Sequence, residues 1–333
     1  MTMSFPLLKL PLIALEPIIN QLNFLDLLQL SMKSSKFKRF LELLKLPVFT
    51  LRVRLTERTN EIEILQNCNW SYIDACDSVP VEATSEAVKI QEEPVHIWKD
   101  NRNTLKVKSD LPRLTILETI TKYILSFSRV AKYSLTYDDA ETEIRSLFIW
   151  QITTQIDHLH ISFSGGQTSP ESLDFILDGI SIKSIYLKVS CPDFKYRRPI
   201  RHPVIYIRCP NWIDFNQFSL GPETITVFFY DQKVSNAVLN RLIKDWTEGK
   251  NPKLKKVYFS WEDNDPETLA MAREHEIRPP RPILPNRNIE QLKGLSINHR
   301  MTHWSRRQSV YYEVRLSVEE EISLNGLHLE DQN

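Results

Sequence analysis

The sequence has no apolar run approaching the roughly twenty residues that cross a bilayer, so no membrane span is expected. Its four cysteines, Cys68, Cys76, Cys191 and Cys209, stand nowhere at a short paired spacing. Metal and disulfide frameworks usually need such pairs, so these read as reduced, mostly buried thiols. Net charge is also absent: lysine plus arginine and aspartate plus glutamate number 42 each. Equal counts give no global pull toward nucleic acid or acidic lipid. The first residues lack a basic region, are interrupted by Lys9 and Pro11, and offer no small-residue cleavage site, unlike a secretory signal. A cytoplasmic or nuclear protein is expected.

Catalytic and metal-binding constellations are scarce too. His158 and His160 alternate along a predicted strand and point the same way, but no third ligand accompanies them, and a structural zinc needs four. His299 and His303 lie four apart without the glutamate of a zinc helix. Asp138, Asp139, Glu141 and Glu143 sit between a predicted strand and helix, where capping suits them better than acid–base work. Ser164-Gly165-Gly166-Gln167 lacks the lysine and spacing of a phosphate loop and reads as a turn. Lys195, Arg197, Arg198, Arg201 and His202 form a basic stretch that suits a solvated loop on a neutral chain. Residues 278–285 (RPPRPILP) read as an extended linker. Glu319 to Glu321 read as a solvated face. No catalytic residue, metal or cofactor is expected.

What the chain does have is concentrated near its start. Residues 4–45 carry leucine, isoleucine and phenylalanine at a density that so short a segment cannot hide within itself. Leu15, Ile18, Ile19 and Leu22 recur at three and four, which marks one helix face. Asn23 and Asp26 break and restart the run, placing Leu27, Leu28 and Leu30 on a second helix. Ser34 and Ser35 offer an N-cap for a third, with Phe37, Phe40, Leu41 and Leu44. Pro17 would be interior to a helix begun at Leu12, so that helix starts later or is kinked. Three such helices can share a core and still present a face to a partner.

The order Leu10-Pro11, Leu15, Ile18-Ile19, Leu22, Asp26-Leu27, Leu30-Ser31, Ser34, Lys36-Phe37 resembles the F-box. The resemblance implies a three-helix motif that binds a Skp-type adaptor and, through it, a cullin. Leu10, Pro11, Leu15, Ile18, Ile19, Leu22, Leu27 and Leu30 would then be adaptor-binding residues, with ubiquitin-transfer chemistry left to other subunits.

Beyond Pro47, Leu51, Val53 and Leu55 alternate with polar residues as in a half-buried strand, and Ile62 and Ile64 read as its partner across a turn at Asn60. Residues 66–99 contain short apolar alternations without clear boundaries. From there, six segments carry apolar residues at three alternate positions, centred on Leu135, Ile161, Leu187, Ile207, Val227 and Phe259, with separations of 26, 26, 20, 20 and 32 residues. Helices are predicted over 115–126, 141–152, 170–180 and 234–248, the third begun by Ser169-Pro170 and the last stopped by Gly249. In the last, Leu239, Leu242, Ile243 and Trp246 share one face and are expected to anchor it.

Strand–helix alternation at this period resembles the architecture of leucine-rich repeats, though without their asparagine ladder. The segment 203–261, with Val204-Ile205-Tyr206-Ile207, Trp212-Ile213, Leu242-Ile243-Lys244-Asp245-Trp246 and Gly249-Lys250-Asn251-Pro252, resembles the type-2 F-box-associated domain of nematode proteins.

The expected fold is therefore α+β or α/β: a small three-helix F-box over 1–46, then a larger curved strand–helix domain over 47–333. The implied function is substrate receptor of an SCF-type ubiquitin ligase. The alternative is a non-degradative scaffold that binds the adaptor without delivering ubiquitin. Loops positioned by a rigid scaffold commonly carry recognition, which makes Phe194, Tyr196, Arg198 and Trp212 the candidate target-binding residues, aromatic and arginine types that anchor interfaces.

Overall fold

The computed structural model describes residues 11–44, 49–100, 104–139, 143–230, 236–261, 295–299 and 310–316. Leu10, the 278–285 segment, His303 and Glu319 to Glu321 lie outside them. The chain divides into two compact units, Met1–Tyr196 and Arg197–Asn333. The helical start shares a unit with the first strands.

That start is α1 (Leu12–Gln21), α2 (Phe24–Lys33) and α3 (Ser35–Leu43). Asn23 caps α2, its side chain accepting from Asp26 N at 2.9 Å. Ser34 caps α3, accepting from Phe37 N at 3.1 Å. Pro17 lies inside α1 at an exposed position, and the helix runs through it.

The first unit continues with β1 (Phe49–Thr56), β2 (Asn60–Gln66), β3 (Asn69–Ala75), β4 (Glu86–Ile90), β5 (Glu93–Lys99), β6 (Thr104–Lys108), α4 (Arg113–Leu125), β7 (Val130–Asp138), α5 (Ile149–Ile152), β8 (Gln155–Gln167), α6 (Pro170–Asp174) and β9 (Ser181–Ser190). Its sheet order is β9-β8-β7-β1-β2-β3-β6-β5-β4. Strands β9, β8, β7 and β1 run parallel. The β1–β2 and β2–β3 pairs are antiparallel, and so are β4–β5 and β5–β6. The second unit has β10 (Val204–Arg208), β11 (Thr226–Tyr230), α7 (Asn236–Thr247), β12 (Lys256–Trp261), β13 (Leu295–His299) and β14 (Val310–Leu316), in the order β13-β14-β12-β11-β10. Here β10, β11 and β12 are parallel and β14 reverses direction. The protein is mixed α and β, with sheet dominant and helices few.

Strict alternation sets the core. In β1, Leu51, Val53 and Leu55 are buried while Arg52 and Arg54 are half-buried on the other face. Leu135 and Tyr137 of β7, Leu159 and Ile161 of β8, and Ile185 and Leu187 of β9 continue the buried side. Helix α4 packs against β2 and β3. Facing away from that core, Glu63 is only 2% exposed because two guanidiniums cover it. Arg52 donates to it at 2.9 Å and Arg54 sits 2.5 Å away, while the Arg52 guanidinium lies over the Trp70 ring at 4.8 Å.

Several expectations need correction. Residues 143–152 form no single helix but a 3-10 turn (Ile144–Ser146) and the short α5. Within the 170–180 segment the α-helix ends at Asp174 and a π turn follows. Ser164 to Gln167 belong to β8 rather than to a turn, and the pairing with β9 shifts register between Ser162 and Gln167. The cysteines are not mostly buried: Cys191 is buried and Cys76 half-buried, but Cys68 and Cys209 are exposed. Asn67 (φ 49°) and Cys68 (φ 65°) are both left-handed between β2 and β3, the conformation a tight hairpin turn demands.

Asp157 shows how strand edges are tied in the first unit. Its carboxylate accepts from Tyr133 N at 3.0 Å and from Lys183 Nζ at 2.6 Å. Burial opposes ionisation, but the lysine and the backbone donor outweigh it and hold the carboxyl below its ordinary value. A depressed carboxylate stabilises the fold above its unfolded pKa, and that stabilisation is lost as pH falls through the folded pKa. Asp157→Asn is therefore expected to flatten the acid limb of stability below about pH 4, read from urea midpoints against pH. An unaltered acid limb would remove Asp157 from that role.

Candidate functional site

The helical start buries Leu15, Ile19, Phe24, Leu25, Leu27, Leu28, Met32, Phe37 and Leu41. Much of this burial is against the rest of its own unit. Phe24 meets Phe49 with ring centroids 5.1 Å apart. The Tyr123 hydroxyl of α4 donates to Ser31 Oγ at 3.2 Å, and that hydroxyl donates to Leu28 O at 2.6 Å. Burial pushes the Tyr123 phenol up, and the Ser31 bond opposes this. Lys38 Nζ stands 4.7 Å from the centre of the Tyr123 ring. Asp26 pairs with Lys99, and Lys33 with Glu86. No periodic pattern signals this docking, because a single buried serine or tyrosine carries none.

The docking sorts the residues expected to bind an adaptor. Leu15, Ile19 and Leu27 are buried core, and Leu22 is half-buried. Pro11 is exposed, and Ile18 and Leu30 are each 37% exposed. Leu43, which sequence reasoning left aside, is 71% exposed at the end of α3. A protein surface exposes scattered apolar residues routinely. Here, however, the exposed ones lie beside a core of Leu15, Ile19, Leu25, Leu27, Leu28, Phe37 and Leu41 that is already buried.

The four expected target-binding residues are divided between the units. In the first, Phe194 is half-buried and Tyr196 is buried, its hydroxyl donating to Asp178 at 2.9 Å. In the second, Arg198 is exposed, whereas Trp212 is 0% exposed and closes the core beneath its loop. Tyr196 and Trp212 therefore do not present their rings to a partner. On α7, Leu242 is buried but Trp246 is only half-buried, so the expected anchoring by the indole is partial; the side chains of Leu239 and Ile243 lie outside the described ones.

The remaining constellations stay apart chemically. His158 and His160 are both exposed on one face of β8. Among the described residues, no three histidine, cysteine or acidic side chains gather as a metal site would require. Glu143 does not cap a helix: its carboxylate takes the Arg145 guanidinium and the Ser172 hydroxyl, and the arginine lowers its pKa. An open notch of about 310 Å³ is lined by Cys76, Asp77, Lys108, Asp110 and Arg113. Asp77 answers Arg113 and Asp110 answers Lys108, which leaves no net charge to draw a ligand. A second notch, in the other unit, is lined by Arg201, Gly221, Asp245, Lys250 and Asn251, and its Lys250 is held by Asp245 at 2.9 Å. No helix among the described residues is long and apolar enough to cross a membrane.

No family model, curated protein or solved structure matches this chain.

Proposed function

We propose that this chain is a substrate-recognition subunit of an SCF-type ubiquitin ligase, its helical start binding a Skp-type adaptor and the remainder binding a target protein. The observation that carries the reading is the exposure of Pro11, Ile18 and Leu30 beside a helical core formed by Leu15, Ile19, Leu25, Leu27, Leu28 and Leu41. These three fall at positions where the F-box resemblance expects adaptor contact. The contacts of α2 and α3 with α4 support a receptor whose adaptor-binding helices are held in place within their own unit. The parallel runs β7-β8-β9 and β10-β11-β12, each strand paired to its successor in sequence, support a repeat-like reading of the target-binding part.

The test is co-purification of the full chain with a Skp-type adaptor. Replacing Ile18 and Leu30 together by glutamate is expected to weaken the complex at least tenfold, about 1.4 kcal/mol or more, with the thermal midpoint of the free chain unchanged. Adaptor binding untouched by both charges would end the F-box reading.

A further inference from the structure

Strands β1, β7, β8 and β9 turn one face toward the core and leave the other largely polar. Across that outer face Arg54, Thr136, His160 and Tyr186 stand in register, with Arg52, Ser134, His158 and Ser184 in the adjacent row. Lys188 lies opposite Ser162, and Lys132 opposite Thr50. Lys132, His158 and His160 are exposed, Thr136, Ser162, Ser184, Tyr186 and Lys188 are half-exposed, and Ser134 is buried beneath them.

The charges on this face are unequal. Arg52 and Arg54 are answered by Glu61 and Glu63 of β2. Among the described residues, no acid forms an ion pair with Lys132 or Lys188, and the further acid carried by the outer rows of these strands is Asp138. The His160 ring lies flat on Tyr186 at 4.4 Å. Burial lowers its pKa first. Asp138 opposes that effect, while Arg54 and Lys188 add to it.

We propose that this outer face of β7, β8 and β9 docks an acidic segment of a partner polypeptide, whose carboxylates meet Lys132 and Lys188 and whose backbone meets the hydroxyls and rings between them. Lys188 lies level with Ser162, and Lys132 about six residues back along the strands, a distance of about 20 Å at about 3.3 Å per residue. An extended segment therefore needs carboxylates about six residues apart to engage both lysines. A polypeptide fits better than a nucleic acid. Two lysines neutralise few phosphates, the chain as a whole carries no net charge, and Tyr186 already has one ring face covered by His160 rather than open to a base. The proposal deepens the receptor reading by giving the chemistry of the target, and depends on that reading only in calling the partner a target.

The experiment titrates the full chain into a fluorescein-labelled dodecapeptide of alternating serine and glutamate, followed by anisotropy. A serine–glutamine counterpart and a labelled fifteen-nucleotide oligo-dT run beside it. The glutamate peptide is expected to bind at least tenfold more tightly than the glutamine peptide. Lys132→Glu with Lys188→Glu is expected to abolish that difference, and Lys132→Gln with Lys188→Gln to reduce it, which keeps the test valid if charge reversal disturbs folding. Equal binding of the two peptides, indifference to both double variants, or preference for oligo-dT would overturn the proposal. Adaptor co-purification of the same variants separates the two readings: this face can fail with adaptor binding intact, and adaptor binding can fail with this face intact.

Discussion

Trp212→Ala is expected to destabilise the second unit by about 3–5 kcal/mol, the range for removing a fully buried large aromatic. The indole is fully buried in the connection from β10 to β11, a segment that is itself closely tied. Ile213 N bonds Pro210 O at 3.0 Å, and Phe215, Phe218 and Phe229 cluster with centroids 5.5 to 6.0 Å apart. Arg241 of α7 donates to the carbonyls of Phe215 and Asn216, so the helix holds the same loop. A cavity there has few ways to collapse, which places the expected cost toward the upper part of the range. Urea denaturation measures it, with Trp246→Ala as a comparison expected to cost less because that indole is half-exposed. A midpoint unmoved by Trp212→Ala would show that the ring is not packed, and would return it to consideration as a binding residue.

The second large effect concerns the union of helices and sheet. Phe24→Ala removes a ring that is buried at the start of α2 and faces Phe49 at the start of β1. It is expected to cost about 3–5 kcal/mol. Since Ser31–Tyr123, Lys38–Tyr123 and Asp26–Lys99 contacts join the same elements, that loss should lower the stability of the whole first unit. Far-UV circular dichroism and the fluorescence of a variant that keeps Trp70, Trp98 and Trp150 and carries phenylalanine at the four tryptophans beyond residue 196 should then give coincident transitions at a lower denaturant midpoint. Helical signal lost ahead of an unshifted fluorescence transition would instead make the helices a separately folding appendage, as a domain boundary at residue 46 requires.

Local regularities in the sequence determined a good deal. Strands β1 and β2 and the six later strands from β7 to β12 follow directly from apolar alternation, since a two-residue period has one structural solution. Ser34 and Ser169 are the caps their positions suggested, because capping depends on three or four neighbouring residues. Helices α4 and α7 lie within a few residues of their predicted ranges. The 143–152 segment defeated the same reasoning. Its apolar residues Ile144, Leu147, Phe148 and Ile149 are all buried, but as a 3-10 turn and one short helix, for tertiary packing overrides weak helical preference.

Only the tertiary structure decided which of those apolar residues reach water. Leu15, Ile18, Ile19, Leu27 and Leu30 are alike in composition and spacing, yet three are core and two are exposed. Tyr196 and Trp212 look like interface anchors in sequence and are interior. The outer face of β7 to β9 was equally illegible, since it arises from register between strands some 25 residues apart. Periodicity fixes which side of its own element a residue occupies. Exposure depends on what packs against that side, and this is set by contacts distant in sequence, such as Ser31 with Tyr123.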